Sequence, residues 1–98
     1  MTIQKDPEGM EIRYLNQTVV FTDKRVLEIG SGDGRLTWRY AHNAGQVTGI
    51  DPDTDALRIA ASDCPANLRN NVSFVRAGSS YLPFPKEMFD VAILAWSL

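Results

Sequence analysis

VLEIGSGDGR, running from Val26 to Arg35, changes character in its middle. An apolar run, Val26 to Ile29, stops at Gly30, and glycine recurs at Gly32 and Gly34. A short apolar run closed by a turn signal predicts a buried strand. Glycine reaches positive φ without a steric penalty, so the chain can turn sharply off that strand. It also carries no Cβ, which lets a ligand lie against the backbone. RLTWRYAHNA, Arg35 to Ala44, follows with Leu36, Tyr40, Ala41 and Ala44 at helical spacing, and Gly45 is placed to end that helix. A glycine-rich loop between a strand and a helix is the setting of a nucleotide-binding loop, because the helix start offers unpaired N–H groups to a carboxylate or phosphate.

The residues further out extend the same alternation. QVTGID, Gln46 to Asp51, reads as a second strand ending on an acid. PDTDALRIAASDC reads as a helix that starts at Pro52 with Asp53 or Thr54 as cap and is closed by Pro65. VSFVRA, Val72 to Ala77, is a third strand, GSSYLPFPKEM an irregular crossover, and FDVAILAWSL a fourth, almost wholly apolar strand. Upstream, Asp6-Pro7 is turn chemistry, and MEIRYLNQTVVF predicts a short helix with Met10, Tyr14 and Leu15 on one side. Strands that alternate with helices and read as continuous apolar runs predict an α/β fold, a Rossmann-like parallel sheet with helices on both faces. We divide the chain into an N-terminal helical lead-in, residues 1–23, and the α/β unit, residues 24–98.

In such a sheet the second strand lies beside the first. Asp51, twenty-one residues after Gly30, then stands next to the loop, where a carboxylate accepts both hydroxyls of a ribose. The dinucleotide pattern G-x-G-x-x-G/A does not fit, because Arg35 occupies its last position and the third glycine comes one residue early, at Gly34. The Gly-Lys-Ser/Thr of a P-loop is absent from the sequence.

The whole chain sets outer bounds. Its 98 residues make one domain, with 44% hydrophobic residues, 22% charged residues and a net charge of −2. That balance gives no electrostatic footprint for nucleic acid. A lone cysteine, Cys64, rules out an internal disulfide and, with a single histidine, His42, argues against a zinc site. No apolar run is long enough to span a bilayer and the first residues show no secretory pattern, so we expect a cytoplasmic protein without a membrane partner.

Glu28-Ile29-Gly30-Ser31-Gly32-Asp33-Gly34 resembles the E/D-x-G-x-G-x-G motif of class I S-adenosylmethionine-dependent methyltransferases. VTGIDPDTDALRIA is similar to that family's second strand and following helix, and LPFPKEMFDVAILAWSL to its approach to the fourth strand. The likeness runs from Lys24 to Leu98, roughly three quarters of the chain. It implies S-adenosyl-L-methionine as cofactor, strand order 3-2-1-4, and roles at matching positions. Gly30, Ser31, Gly32 and Gly34 would let the methionine part cross the loop, with Glu28 facing its ammonium group. Asp51 would hold the ribose and Pro52 would pack near the adenine, with Ser79 and Ser80 at its edge. Gly78 stands where members often carry an acid for the adenine amino group.

The resemblance makes the last strand the fourth of a longer sheet. We therefore expect the acceptor-binding residues, and the identity of the methyl acceptor, to lie outside these residues, and the isolated chain to be inactive. The competing expectation is a non-catalytic module that binds the cofactor or only another chain. The strand after Asp90 carries Val91, Ile93, Leu94, Trp96 and Leu98 with no charge, and predicts an open sheet edge that pairs as a homodimer through Val91–Leu98.

Overall fold

The computed structural model describes residues 2–5, 21–78 and 82–95. Among these, five strands form one parallel sheet: β1 (Thr2–Lys5), β2 (Arg25–Ile29), β3 (Gln46–Asp51), β4 (Val72–Arg76) and β5 (Val91–Leu94), in the order β1-β5-β2-β3-β4. Helices α1 (Thr37–Tyr40) and α2 (Thr54–Asp63) lie between strands. The four strands expected from the sequence stand in the expected order, third, second, first, fourth. All are parallel, as the β-α-β rhythm requires.

The fifth strand is a departure. Thr2–Lys5, inside the segment read as a helical lead-in, pairs with β5 from Thr2 opposite Val91 to Lys5 opposite Leu94. The outer edge of Val91–Leu94 is therefore filled from within the chain and is not the open edge on which the expected homodimer was to pair. An unpaired strand edge is satisfied by whichever extended segment reaches it, and here the chain's own start does so. Trp96 and Leu98 lie outside the described residues, as do Tyr14 and the helix expected over Met10–Phe21 apart from Phe21 itself.

Alternation along the strands splits the core in two. Val26, Val47, Val72, Val91 and Ile93 face one way and meet Leu36, Tyr40 and Ala41 from the α1 segment, together with Cys64 and Leu68 from beyond α2. Leu27, Ile29, Ile50 and Ala92 face the other way and pack with Phe89, Leu82 and Phe84. Phe84 meets Phe89 edge-on at 5.2 Å. The Leu82–Phe89 crossover thus covers apolar strand surface that would otherwise cost roughly 25 cal/mol per Å² to leave wet.

α1 is shorter than its sequence pattern suggests. Only Thr37–Tyr40 is α-helical; Tyr40 leaves the α region at φ −128°, and Ala41–Asn43 continue as a 3₁₀ turn. Gly45 follows, but not as a left-handed terminator, since the glycines at positive φ are Gly30, Gly32 and Gly34. It is needed for space: a Cβ at Gly45 would stand 2.8 Å from the Asp23 carbonyl carbon. α2 matches its reading more closely. Asp53 caps it, its Oδ1 accepting from the N–H groups of Asp55 (3.0 Å) and Ala56 (3.2 Å).

The start of β5 is stapled to the start of β2. Asp90 accepts from the Arg25 guanidinium at 3.2 and 3.0 Å and from the Arg25 backbone N–H at 2.9 Å. The Arg25 side chain first, and its N–H second, hold the Asp90 carboxyl at about 2, below its usual 3.8. A lowered carboxyl adds stability above its unfolded-state value, and that contribution disappears as pH falls from the ordinary carboxylate range through about 2. Exposure of both groups screens the pair and keeps its contribution small. We expect Arg25→Ala to move the Asp90 titration toward ~3.9, read by carboxyl NMR. A midpoint that stays near 2 in that variant would show that another group lowers it.

Candidate cofactor-binding site

The loop from Gly30 to Gly34 sits at the C-terminal ends of β2 and β3, where open parallel sheets bind ligands. Both Gly30 and Ser31 donate their N–H to the Ile50 carbonyl, at 2.9 and 3.0 Å, which bends the chain off β2 over the neighbouring strand. Asp51 then holds the next turn. Its Oδ2 accepts from the Gly32 N–H at 3.0 Å and its Oδ1 from the Asp53 N–H at 2.8 Å. Each carboxylate oxygen has a second lone pair, so these bonds leave Asp51 able to accept from a ligand hydroxyl.

A cavity of about 510 Å³ opens over this loop. Gly30, Ser31 and Gly32 form its floor, Asp51 and Asp53 one wall, and Ala56 and Ile59 of α2 bring an apolar side. Asp33, Asp55 and Arg35 stand at the lining as well. Asp33 pairs with Arg35 at 3.3 Å, which leaves the lining acidic on balance. Asp53 and Ile59 join the site although the sequence motif does not mark them as lining residues. Their signal is the α2 register: Asp55, Ala56 and Ile59 recur at helical spacing just after Asp51, and Ile59 is 51% exposed, an unusual place for a large apolar side chain on an otherwise ordinary helix.

The three glycines serve different ends. Gly32, at φ +55°, has nothing within 4 Å of where a Cβ would stand, so its missing side chain leaves room open to the cavity. Gly34, at φ +87°, is closed: a Cβ there would lie 2.8 Å from Cζ2 of Trp38. The indole of Trp38 covers the loop's last turn and meets Phe74 edge-on at 5.7 Å. Gly49 of β3 is tight in the same way, its Cβ position 2.8 Å from both Phe74 and the Cβ of Ser31. Small residues thus let the loop settle onto the sheet.

Glu28 is placed beneath the loop. It is fully buried, and its Oε1 accepts from Thr37 Oγ1 at 2.8 Å and from Tyr40 Oη at 2.6 Å. Glu28, Gly34 and the exposed Pro52 stand outside the cavity lining. Gly30, Ser31, Gly32 and Asp51 are brought together around it. Ser79 lies outside the described residues. Among those described, no group of three or more His, Cys, Asp or Glu side chains is arranged to hold a metal ion, and no helix is long and apolar enough to cross a membrane.

A family model described as a methyltransferase domain matches residues 26–98. The chain belongs to the methyltransferase family. Among its relatives, the ubiquinone/menaquinone biosynthesis C-methyltransferase UbiE of Shewanella frigidimarina is 33% identical over 78 residues, which are 76% of this chain and 31% of that protein. An S-adenosylmethionine-dependent methyltransferase from Mesorhizobium loti superposes with a TM-score of 0.71 at 25% identity, covering 87% of this chain and 38% of its own. An RNA methyltransferase from Salinibacter ruber, solved with S-adenosyl-L-homocysteine, gives a TM-score of 0.71 at 26% identity over 91% of this chain and 58% of its own. This methyltransferase chain spans about a third of the length of the curated relatives it matches. The glycine loop, Asp51 and the four-strand order all fall inside the matched residues.

Proposed function

We propose that these residues are the cofactor-binding part of an S-adenosyl-L-methionine-dependent methyltransferase. The observation that carries the reading is the open space over Gly32, floored by backbone and walled by Asp51. Its volume, about 510 Å³, lies in the range of small-molecule sites. The acidic lining suits a ligand with a sulfonium and an ammonium group, and among the described residues no lysine lines the cavity to favour a phosphate. Gly30, Ser31, Gly32 and Asp51 are the residues we assign to direct contact with the cofactor, with Asp51 accepting from the ribose hydroxyls; Glu28 and Gly34 shape the loop beneath it, and Pro52 and Ser79 keep the adenine-side role that the resemblance implies.

When bound, S-adenosylmethionine supplies an electrophilic methyl group for in-line displacement. The chain's own part is positional. The Gly30–Gly34 backbone lets the methionine portion lie flat, Asp51 fixes the ribose, and Ala56 and Ile59 offer apolar surface beside it. Such a transfer depends chiefly on holding the two reactants in line. The relatives' names span a quinone-pathway carbon and an RNA as acceptors, so the acceptor is set by residues other than those they share with this chain. A cytoplasmic setting belongs to the same proposal, supported by a single buried cysteine, Cys64.

Titration calorimetry tests the reading. S-adenosylhomocysteine is expected to bind in preference to NAD, and Asp51→Ala to weaken it by about 1.5–3 kcal/mol, the usual contribution of a hydrogen bond to a charged group. Tighter binding of NAD than of S-adenosylhomocysteine would overturn the assignment.

A further inference from the structure

We propose that Thr37 and Tyr40 are positioning residues for the cofactor site, acting through Glu28. The inference deepens the cofactor reading above and rests on it. A carboxylate taken fully out of water is costly unless it is hydrogen-bonded. Glu28 is fully buried, and so are the two hydroxyl-bearing side chains that meet its Oε1, at 2.8 and 2.6 Å. All three lie at the ends of the glycine loop. Glu28 is two residues before Gly30, and Thr37 is three after Gly34. The Glu28–Thr37 bond therefore closes a nine-residue span that contains the whole loop, and Glu28–Tyr40 closes twelve.

Local bonds at the exit are few and short-range, Gly34 N–H to the Ser31 carbonyl at 3.1 Å and Arg35 N–H to Asp33 Oδ1 at 3.2 Å, and they tie the loop only to itself. α1 has only four α-helical residues, and Leu36 at its start makes no side-chain cap. A helix of that length is not stable by itself. Thr37 and Tyr40 stand one turn apart on its inner face, and Tyr40 is anchored by stacking on Phe21 at 5.2 Å. The entry side of the loop is fixed by Ile50 and Asp51 of β3; the exit side is fixed by this buried latch. With glycines at both ends, the loop keeps one shape because it is held at both ends. Pre-organisation of that kind raises affinity without touching the ligand.

The test is the Thr37→Val/Tyr40→Phe double variant, which removes both hydroxyls and keeps shape and ring stacking. Thr37→Ser is its partner, because it retains the hydroxyl. Two readouts are taken: S-adenosylhomocysteine affinity by calorimetry, and amide exchange without ligand. We expect the double variant to bind about tenfold more weakly or worse, because a loop released at its exit side must be ordered when the ligand binds. We expect its Gly32 and Gly34 amides to exchange about tenfold faster than in the wild type, while Val47 and Ile50 in β3 change much less. Thr37→Ser should match the wild type in both. A double variant whose affinity stays within about twofold of wild type would overturn the proposal. So would equal acceleration of loop and β3 exchange, which marks a global loss of stability only. Failure of the wild-type chain itself to bind S-adenosylhomocysteine would sink the cofactor reading instead, and the exchange comparison would then decide the latch alone.

Discussion

Gly32→Val is expected to abolish S-adenosylhomocysteine binding, with a loss of at least about a hundredfold, equivalent to about 2.7 kcal/mol. Two effects add. The backbone at Gly32 is left-handed, φ +55°, a region that costs an L-residue roughly 1–2 kcal/mol and a β-branched one more. The space above it is open, so the valine methyls would project into the cavity that the ligand is proposed to fill. Openness also means that the added Cβ has no protein atom within 4 Å outside its chain neighbours, and the fold should survive with a modest loss of stability. Calorimetry together with a urea melt separates the two effects. A Gly32→Val chain that still binds would show that the ligand does not cross this residue.

Gly34→Ala should behave in the opposite way, lowering stability by about 2–4 kcal/mol through strain in the left-handed region plus overpacking. Its Cβ would stand 2.8 Å from Trp38, a ring already wedged against Phe74. The indole is partly buried, and Phe74 stands on one side of it. Combining Gly34→Ala with Trp38→Ala removes the clash but not the strain at φ +87°, so the pair should be less destabilising than the sum of the two single changes. Urea unfolding followed by far-ultraviolet circular dichroism gives the double-mutant cycle. Strict additivity would mean that Trp38 is not what the third glycine accommodates.

These two expectations differ although the glycines look alike in the sequence. The motif shows where a tight turn is required, because only backbone chemistry is involved. It does not show what occupies the space that each missing Cβ leaves. That space is filled by Trp38 over Gly34 and left open over Gly32, and only packing distinguishes them. Glu28 carries the same lesson. Its place beside the glycines marks it as a site residue, and the structure puts it under the loop on Thr37 and Tyr40, nine and twelve residues away.

Short-range periodicity and turn chemistry are enough to read much of this chain. The β-α-β alternation, the parallel direction of four strands, the loop after β2, Asp51 at the end of β3 and the Asp53 cap of α2 follow from local patterns, while the order of those strands came from the family resemblance. Other features exist only in the folded molecule. Thr2–Lys5 fills the outer edge of β5 because an unpaired row of N–H and C=O groups takes any strand within reach, about ninety residues away in the chain. Gly45 is glycine because the Asp23 backbone passes 2.8 Å from its missing Cβ, not because a helix ends there. The α1 helix stops at four residues, with Tyr40 leaving the helical region where its hydroxyl meets Glu28. In each case the outcome was fixed by groups far apart in sequence that close packing brings within a few ångströms, and no local spacing encodes that meeting.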